Sequence, residues 1–134
     1  MSVFDSVPRP LDAVDRIERL DAQGITAVKA VTGNEPFFVG HYPGHPIYPG
    51  VFLFEAVHQA ALYFAHHQLR RTARLAEVRS IRFLSAVGPG DTLQSACACR
   101  TTDARLAVDA ECRRGEHVCA QVKLIYRLEE ARPC

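Results

Sequence analysis

The chain has almost no charge of one sign to spare: 16 Lys and Arg against 15 Asp and Glu leave a formal charge of +1. With no basic stripe interleaved with aromatic residues either, nucleic acid is not an expected partner. Long apolar runs are also missing. The longest, Val51 to Ala65, is interrupted by Glu55, His58 and Gln59 and is short for a membrane span, so it reads as a buried helix and no membrane partner is expected. The opening residues, MSVFDSVPRPLDAVDR, lack the basic start and apolar stretch of a secretory signal, which predicts a cytoplasmic protein. Five cysteines, an odd number, include no CxxC pair and no metal-ligand spacing. They predict a reduced protein with no disulfide frame and no metal site, in which cysteine serves as a small apolar residue. No internal repeat is visible.

What is present fits one globular domain over residues 1–134. Apolar residues make up 48% of the chain and charged residues 23%, enough for a real core but too little chain for two ordinary ones. β-branched residues at Asp12 to Leu20 and Ile25 to Thr32 predict two strands around a turn at Asp21 to Gly24. A helix is expected over Val51 to Arg71. Four further strands are expected at Val78 to Val87, Thr92 to Thr101, Leu106 to Arg113 and Val118 to Leu128, with turns at Gly88 to Asp91, Thr102-Asp103 and Arg114 to Glu116. Leu106, Val108, Ala110 and Cys112 alternate with polar neighbours, as do Val118, Ala120, Val122, Leu124, Tyr126 and Leu128, so each strand buries one face. The helix is apolar around most of its circumference and needs cover on more than one side. A curved antiparallel sheet wrapped around one central helix, an α+β architecture, satisfies both patterns.

The segment NEPFFVGHYPGHPIYPGVFLFEAVHQ, Asn34 to Gln59, runs a Gly/Pro-rich loop directly into that helix. Pro43, Pro46 and Pro49 with Gly40, Gly44 and Gly50 restrict the loop backbone, which suits a place that must hold His41 in one position. The helix starts at a Pro-Gly step, where the first backbone N–H groups have no intrahelical acceptor. Glu55, fourteen positions after His41, is a carboxylate set among Phe, Leu and Val. Such a group is costly to bury without a purpose or partner.

This segment resembles the active-site motif of FabZ-type (3R)-hydroxyacyl-acyl-carrier-protein dehydratases, the FabA/FabZ family of the hot-dog fold. The likeness extends through AVDRIERLDA and ITAVKAVT before it and VRSIRFLSAVGPGDTL after it. It implies dehydration of a (3R)-hydroxyacyl thioester, carried on the phosphopantetheine of acyl carrier protein, to a trans-2-enoyl thioester, in fatty-acid or polyketide-type biosynthesis. It further implies no metal or bound cofactor and a double hot-dog dimer in which one subunit's histidine works with the other's carboxylate. His41 matches the catalytic histidine, Glu55 the carboxylate, and Gly50 the residue whose N–H polarises the thioester carbonyl, with Val51 as a helper. The chemistry supports these roles. Histidine is the side chain whose ordinary proton affinity suits a base at neutral pH, an N–H at a helix start stabilises charge on the thioester oxygen, and the β-hydroxyl needs an acid to leave.

Around that centre, Gln59 is expected to hydrogen-bond Glu55 or the loop backbone. Phe37, Phe38, Tyr48 and Phe83 are candidates for an acyl tunnel at the dimer interface, against an ordinary core role. Arg70, Arg71 and Arg74, with Arg79 and Arg82 nearby, offer a basic patch for an acidic carrier protein, and a solvated helix end explains them equally well. His66 and His67 need no role beyond a favourable place at the helix end. His45 and His58 fall where the family is variable or apolar and are read as neither ligand nor base. Tyr42, Tyr48 and His58 depart from the usual Phe, Met and Ala, which points to a specialised dehydratase. Two alternatives stand beside the homodimeric enzyme. One is a different hot-dog enzyme, an acyl thioesterase or a dehydratase/isomerase; the other is an auxiliary subunit of a heterodimer with a catalytic homologue.

Overall fold

The computed structural model describes residues 13–32 and 48–130. Among them, the order is β1 (Arg16–Asp21), β2 (Gly24–Ala30), α1 (Gly50–His67), β3 (Arg71–Phe83), β4 (Thr92–Thr101), β5 (Arg105–Arg114) and β6 (His117–Glu130). One antiparallel sheet takes the order β1-β2-β4-β5-β6-β3, and α1 packs across it.

The sheet forms where the alternation lies. Leu106, Val108, Ala110 and Cys112 of β5 point inward, as do Ala120, Val122, Leu124, Tyr126 and Leu128 of β6, all 5% exposed or less. Val118 breaks the pattern, because the β5–β6 register shifts after Cys112 and Cys119 is buried beside Ala120. From above, Leu53, Ala56, Val57, Ala60, Ala61 and Phe64 of α1 fill the concave face. Burying such side chains contributes about 1.5–3 kcal/mol for each large one, the main force holding helix to sheet. The rest of the helix is less covered than its composition predicts. Phe52, Phe54, Leu62 and Tyr63 are half-buried and Val51 is 62% exposed, since a single sheet can wrap only one side.

Two boundaries differ from the sequence expectation for one reason. The apolar pattern predicts a helix running to Arg71 and a next strand beginning at Val78; instead α1 ends at His67 and Arg71 already belongs to β3. The amides of Gln68 and Leu69 both donate to the Phe64 carbonyl, at 2.9 and 3.3 Å, and Arg70 then turns the chain with a φ of 57°. Glycine is the usual residue for that left-handed position, and an arginine there gives no warning. The first strand also starts later than expected, at Arg16, and the second covers Gly24 to Ala30.

Among the described residues β3 is the most exposed element and lies at the sheet edge, paired to β6 alone. Leu75, Val78, Ile81 and Phe83 sit opposite Tyr126, Leu124, Val122 and Ala120, so they share the concave face. A plain strand would throw residues three apart to opposite faces. Register shifts between Leu75 and Glu77 and between Val78 and Ser80 absorb the extra residues and keep Leu75, Val78 and Ile81 on one side. These four side chains remain 37–54% exposed, an apolar stripe beside an open strand edge.

Cys97, Cys99, Cys112 and Cys119 are free thiols facing the interior. Burial pushes Cys99 up to about 12 and Cys112 up to about 11, and raises Cys97 well above the ordinary value. In a native thiol titration at mildly alkaline pH these four should stay unreacted until denaturant is added, because burial denies the reagent access and the raised values of Cys97, Cys99 and Cys112 also deny them the thiolate form.

Candidate active site

The start of α1 is built from Tyr48 to Val51. Tyr48 is 2% exposed; its amide donates to the Val87 carbonyl at 2.6 Å and its ring packs on Phe52 with centroids 5.4 Å apart. Pro49 precedes the helix with φ −59° and ψ 139°, and no side chain among the described residues caps it. The amides of Gly50 and Val51 therefore open the helix in the first turn, where no preceding turn supplies a carbonyl. A cavity of about 530 Å³ lies against them, lined by Tyr48, Gly50, Val51, Leu53, Phe83 and Leu84 among others. A Cβ on Gly50 would come within 3.0 Å of the Phe83 ring, so glycine allows the ring to lie directly on the helix start.

Glu55 is half-buried on another face of the same helix. The Gly50 amide points along the helix axis out of its first turn, whereas the Glu55 side chain projects from the helix flank more than one turn further on, so the two look in different directions from one subunit. Gln59 secures the carboxylate. Its Nε2 donates to Glu55 Oε1 at 3.1 Å, and its Oε1 accepts the Ala13 amide at 3.2 Å. Gln59 is only 4% exposed, so this tie is fixed by burial as well as by both hydrogen bonds. The Glu55 contact follows from the one-turn spacing; the Ala13 contact, 46 positions away, does not.

His58, to which the sequence assigned no role, is engaged instead. Its Nδ1 lies 2.7 Å from the hydroxyl of Tyr126. Its ring is near-parallel to Phe54 (centroids 6.0 Å, 7°) and to Tyr126 (5.7 Å, 10°). Burial lowers its proton affinity below the ordinary value of 6.5, partly opposed by the negative charge of Glu55. The only sequence signal for this was a histidine three positions after Glu55 on an apolar helix.

This depression fixes the sign of a pH effect. As pH falls below 6.5, the unfolded chain takes up a proton at His58 while the folded protein resists. Stability should therefore decline from that pH down to the lowered folded value, and His58→Ala should flatten the slope between urea midpoints taken at about pH 7.5 and about pH 5.5. At neutral pH the same substitution should cost about 1–3 kcal/mol, because it strips the buried Tyr126 hydroxyl of its partner. His58→Ala combined with Tyr126→Phe should recover part of that loss.

Among the remaining expected site residues, His41, Phe37 and Phe38 lie outside the described residues. Tyr48 and Phe83 line the cavity at the helix start, the first buried and the second 54% exposed. Arg70 is exposed at the helix end, Arg71 donates from Nη2 to the Leu128 carbonyl at 3.4 Å, and Arg74 pairs with Glu129 at 3.4 Å. A larger hollow of about 750 Å³, bordered by Arg19, Asp109, Glu111 and Lys123, lies away from all of these and holds a mixed-charge surface with no acid–base pair of this kind. No group of His, Cys, Asp or Glu among the described residues could hold a metal ion, and no described helix is long and apolar enough to cross a membrane.

Residues 7–125 match the model of the FabA-like domain. The chain belongs to the FabA-like family. Its relatives include the 3-hydroxyacyl-[acyl-carrier-protein] dehydratase FabZ of Thermomicrobium roseum, 46% identical over 89 residues, which covers 63% of this chain and 60% of that protein. The FabZ of Myxococcus xanthus is 45% identical over 91 residues, again 63% of this chain and 60% of the relative. That of Thermus thermophilus is 46% identical over 88 residues, 63% and 62%. The chain thus spans about three fifths of the length of these relatives.

Solved structures agree on the hot-dog architecture of this FabA-like chain. A Streptococcus mutans protein, smu.793, solved with acetyl CoA, superposes with a TM-score of 0.74 at 16% identity and covers 95% of this chain and 97% of its own. A hypothetical thioesterase with coenzyme A from Streptococcus pneumoniae gives 0.71 at 15%, covering 88% of each chain. The dehydratase heterocomplex ApeI:P of Xenorhabdus doucetiae gives 0.70 at 15%, covering 89% and 84%. At such identities the likeness establishes fold, and the activity must come from the site.

Proposed function

We propose that this protein dehydrates a (3R)-hydroxyacyl thioester, presented on the phosphopantetheine of acyl carrier protein, to the trans-2-enoyl thioester. The observation that carries this reading is the pairing, on one helix, of first-turn amides at an apolar cavity with a half-buried carboxylate to which Gln59 donates. Membership in the FabA-like family and the FabZ names of its relatives support it.

In this reading, His41 takes the proton from the carbon between the thioester and the hydroxyl-bearing carbon. The C–H electrons form the new double bond as the C–O bond breaks, and Glu55 delivers its proton so that water leaves. Negative charge passing onto the thioester oxygen is met by the Gly50 N–H, helped by Val51, in the positive field of the helix start. Return of the proton from the histidine to the carboxylate, through water, restores the enzyme. Every electron pair stays within substrate and side chains, so the reaction calls for no cofactor.

The divergence of Gly50 and Glu55 on one helix favours a site shared between two subunits, one supplying His41 and Gly50, the other Glu55. β3 is the proposed seam. Its free edge can continue the sheet into a partner, and its exposed stripe of Leu75, Val78, Ile81 and Phe83 gives that partner apolar surface to cover. The partner is a second copy or a homologous subunit. Tyr48 and Phe83 border the acyl path with Phe37 and Phe38, and Arg70, Arg71 and Arg74 face the acidic carrier.

The test is to offer the purified protein a 3-hydroxyacyl thioester of a pantetheine mimic and to follow two signals together. Growth of conjugated enoyl absorbance without release of free thiol is expected. Free thiol without enoyl would mean hydrolysis and would overturn the dehydratase reading.

A further inference from the structure

We propose that Arg74, Arg127 and Arg105 form a binding site for a small phosphate-bearing molecule on the outer face of the sheet, away from α1. The site is separate from the reacting centre, and its test needs no turnover.

Strand register sets these arginines in a row. Arg127 of β6 lies directly opposite Arg74 of β3 on one side and directly opposite Arg105 of β5 on the other, so one line across three strands carries three guanidinium groups. Tyr126 and Leu128 point inward, which turns Arg127 and its two cross-strand neighbours outward. Like charges directly opposite one another weaken strand pairing. The same face avoids this elsewhere, with Lys123 of β6 opposite Asp109 of β5 and Arg113 paired with Glu111. Only part of the row is neutralised. Arg74 reaches Glu129 at 3.4 Å, in a pair open to solvent. The side chains of Arg127 and Arg105 make no ion pair or hydrogen bond among the described residues, and Asp103, in the turn before Arg105, does not pair with it. A hollow of about 340 Å³ opens on this line, bordered by the three arginines with Leu75, Ala76 and Tyr126; no described carboxylate lines it.

A phosphate group answers each of these features. Its negative charge offsets the repulsion along the row, and the planar guanidinium fork donates two parallel N–H bonds to phosphate oxygens. The hollow is at the lower end of the size range of small-molecule pockets, and Leu75 and Ala76 give the organic part of such a ligand an apolar border. Because the three arginines are exposed, binding should weaken as salt rises.

Isothermal titration of the purified protein with inorganic diphosphate at fixed ionic strength tests the site, with the melting temperature as a second reading. One diphosphate per chain should bind saturably, and Arg127→Gln and Arg105→Gln should each weaken it by about tenfold or more, the usual cost of losing a hydrogen bond to a charged group. Arg113→Gln removes the same charge from the same face outside the row and should leave binding unchanged. Without phosphate and at low salt, Arg127→Gln should melt about 1–3 °C above the wild type, because the repulsion along the row is relieved. Diphosphate should reverse that order by stabilising the wild type more. No saturable binding at millimolar diphosphate would overturn the proposal, as would equal weakening in Arg113→Gln, which means diffuse attraction. Arg127→Gln that kept diphosphate binding but lost capture of acyl carrier protein would assign the row to a protein surface and overturn it too.

Discussion

Glu55→Gln is expected to lower kcat by roughly 10² to 10⁴-fold while leaving the fold intact, the usual span for loss of a positioned acid. Glutamine keeps the length of the side chain and an oxygen for Gln59 Nε2 to donate to, so the tie to Ala13 survives. What it removes is the transferable proton. KM should change little, because the acid is needed where the C–O bond breaks rather than where the acyl group is bound. Thermal melting and sedimentation of the variant should match the wild type. Undiminished turnover would take Glu55 out of the mechanism and leave its burial among apolar side chains without a chemical reason.

The second large effect concerns assembly. Val78→Glu places a carboxylate in the middle of the β3 stripe, at a position already 46% exposed in the single chain. Folding of one subunit should hardly notice it. An interface that covers this stripe would have to bury the charge, at a cost of several kcal/mol, and each 1.4 kcal/mol weakens association tenfold. We expect a folded monomer in analytical ultracentrifugation and loss of nearly all dehydratase activity, since Gly50 and Glu55 of one subunit look in different directions. High concentration should restore activity in parallel with the dimer. A monomeric species with full turnover would contradict the shared site.

These expectations draw on features of unequal visibility in the sequence. The alternation marks β4 with the ends the structure gives it, Thr92 and Thr101, and β5 and β6 to within two residues, because each buries one face. The first half of β3 leaves no such record. Arg71 to Glu77 is mostly exposed, has a register shift within it, and ends a sheet instead of lying inside one, so neither alternation nor a β-branched run marks it. The helix end is hidden because an arginine takes the left-handed turn that glycine usually advertises.

The candidate site divides in the same way. Glu55, Gly50 and Gln59 belong to a contiguous motif, and the Gln59 contact with Glu55 follows from helix geometry alone. Contacts made across the fold were not legible. Ala13 reaches Gln59 from 46 positions away and Tyr126 reaches His58 from 68. In the sequence Tyr126 counts as one more apolar step in an alternating strand. Its hydroxyl gains meaning only when β6 is laid beneath α1. That helix is also less covered than its composition implied, and its exposed Val51 lines one cavity with Phe83 of the β3 stripe.

The measurement that bears most directly on the central claim is the intact mass of carrier protein loaded with a (3R)-hydroxyacyl group, followed over time with wild type and with His41→Ala. The wild type should convert the carrier to a species lighter by one water, with the variant slower by roughly 10² to 10⁴-fold. Equal traces from the two proteins, or a wild type that leaves the hydroxyacyl carrier untouched, would contradict it.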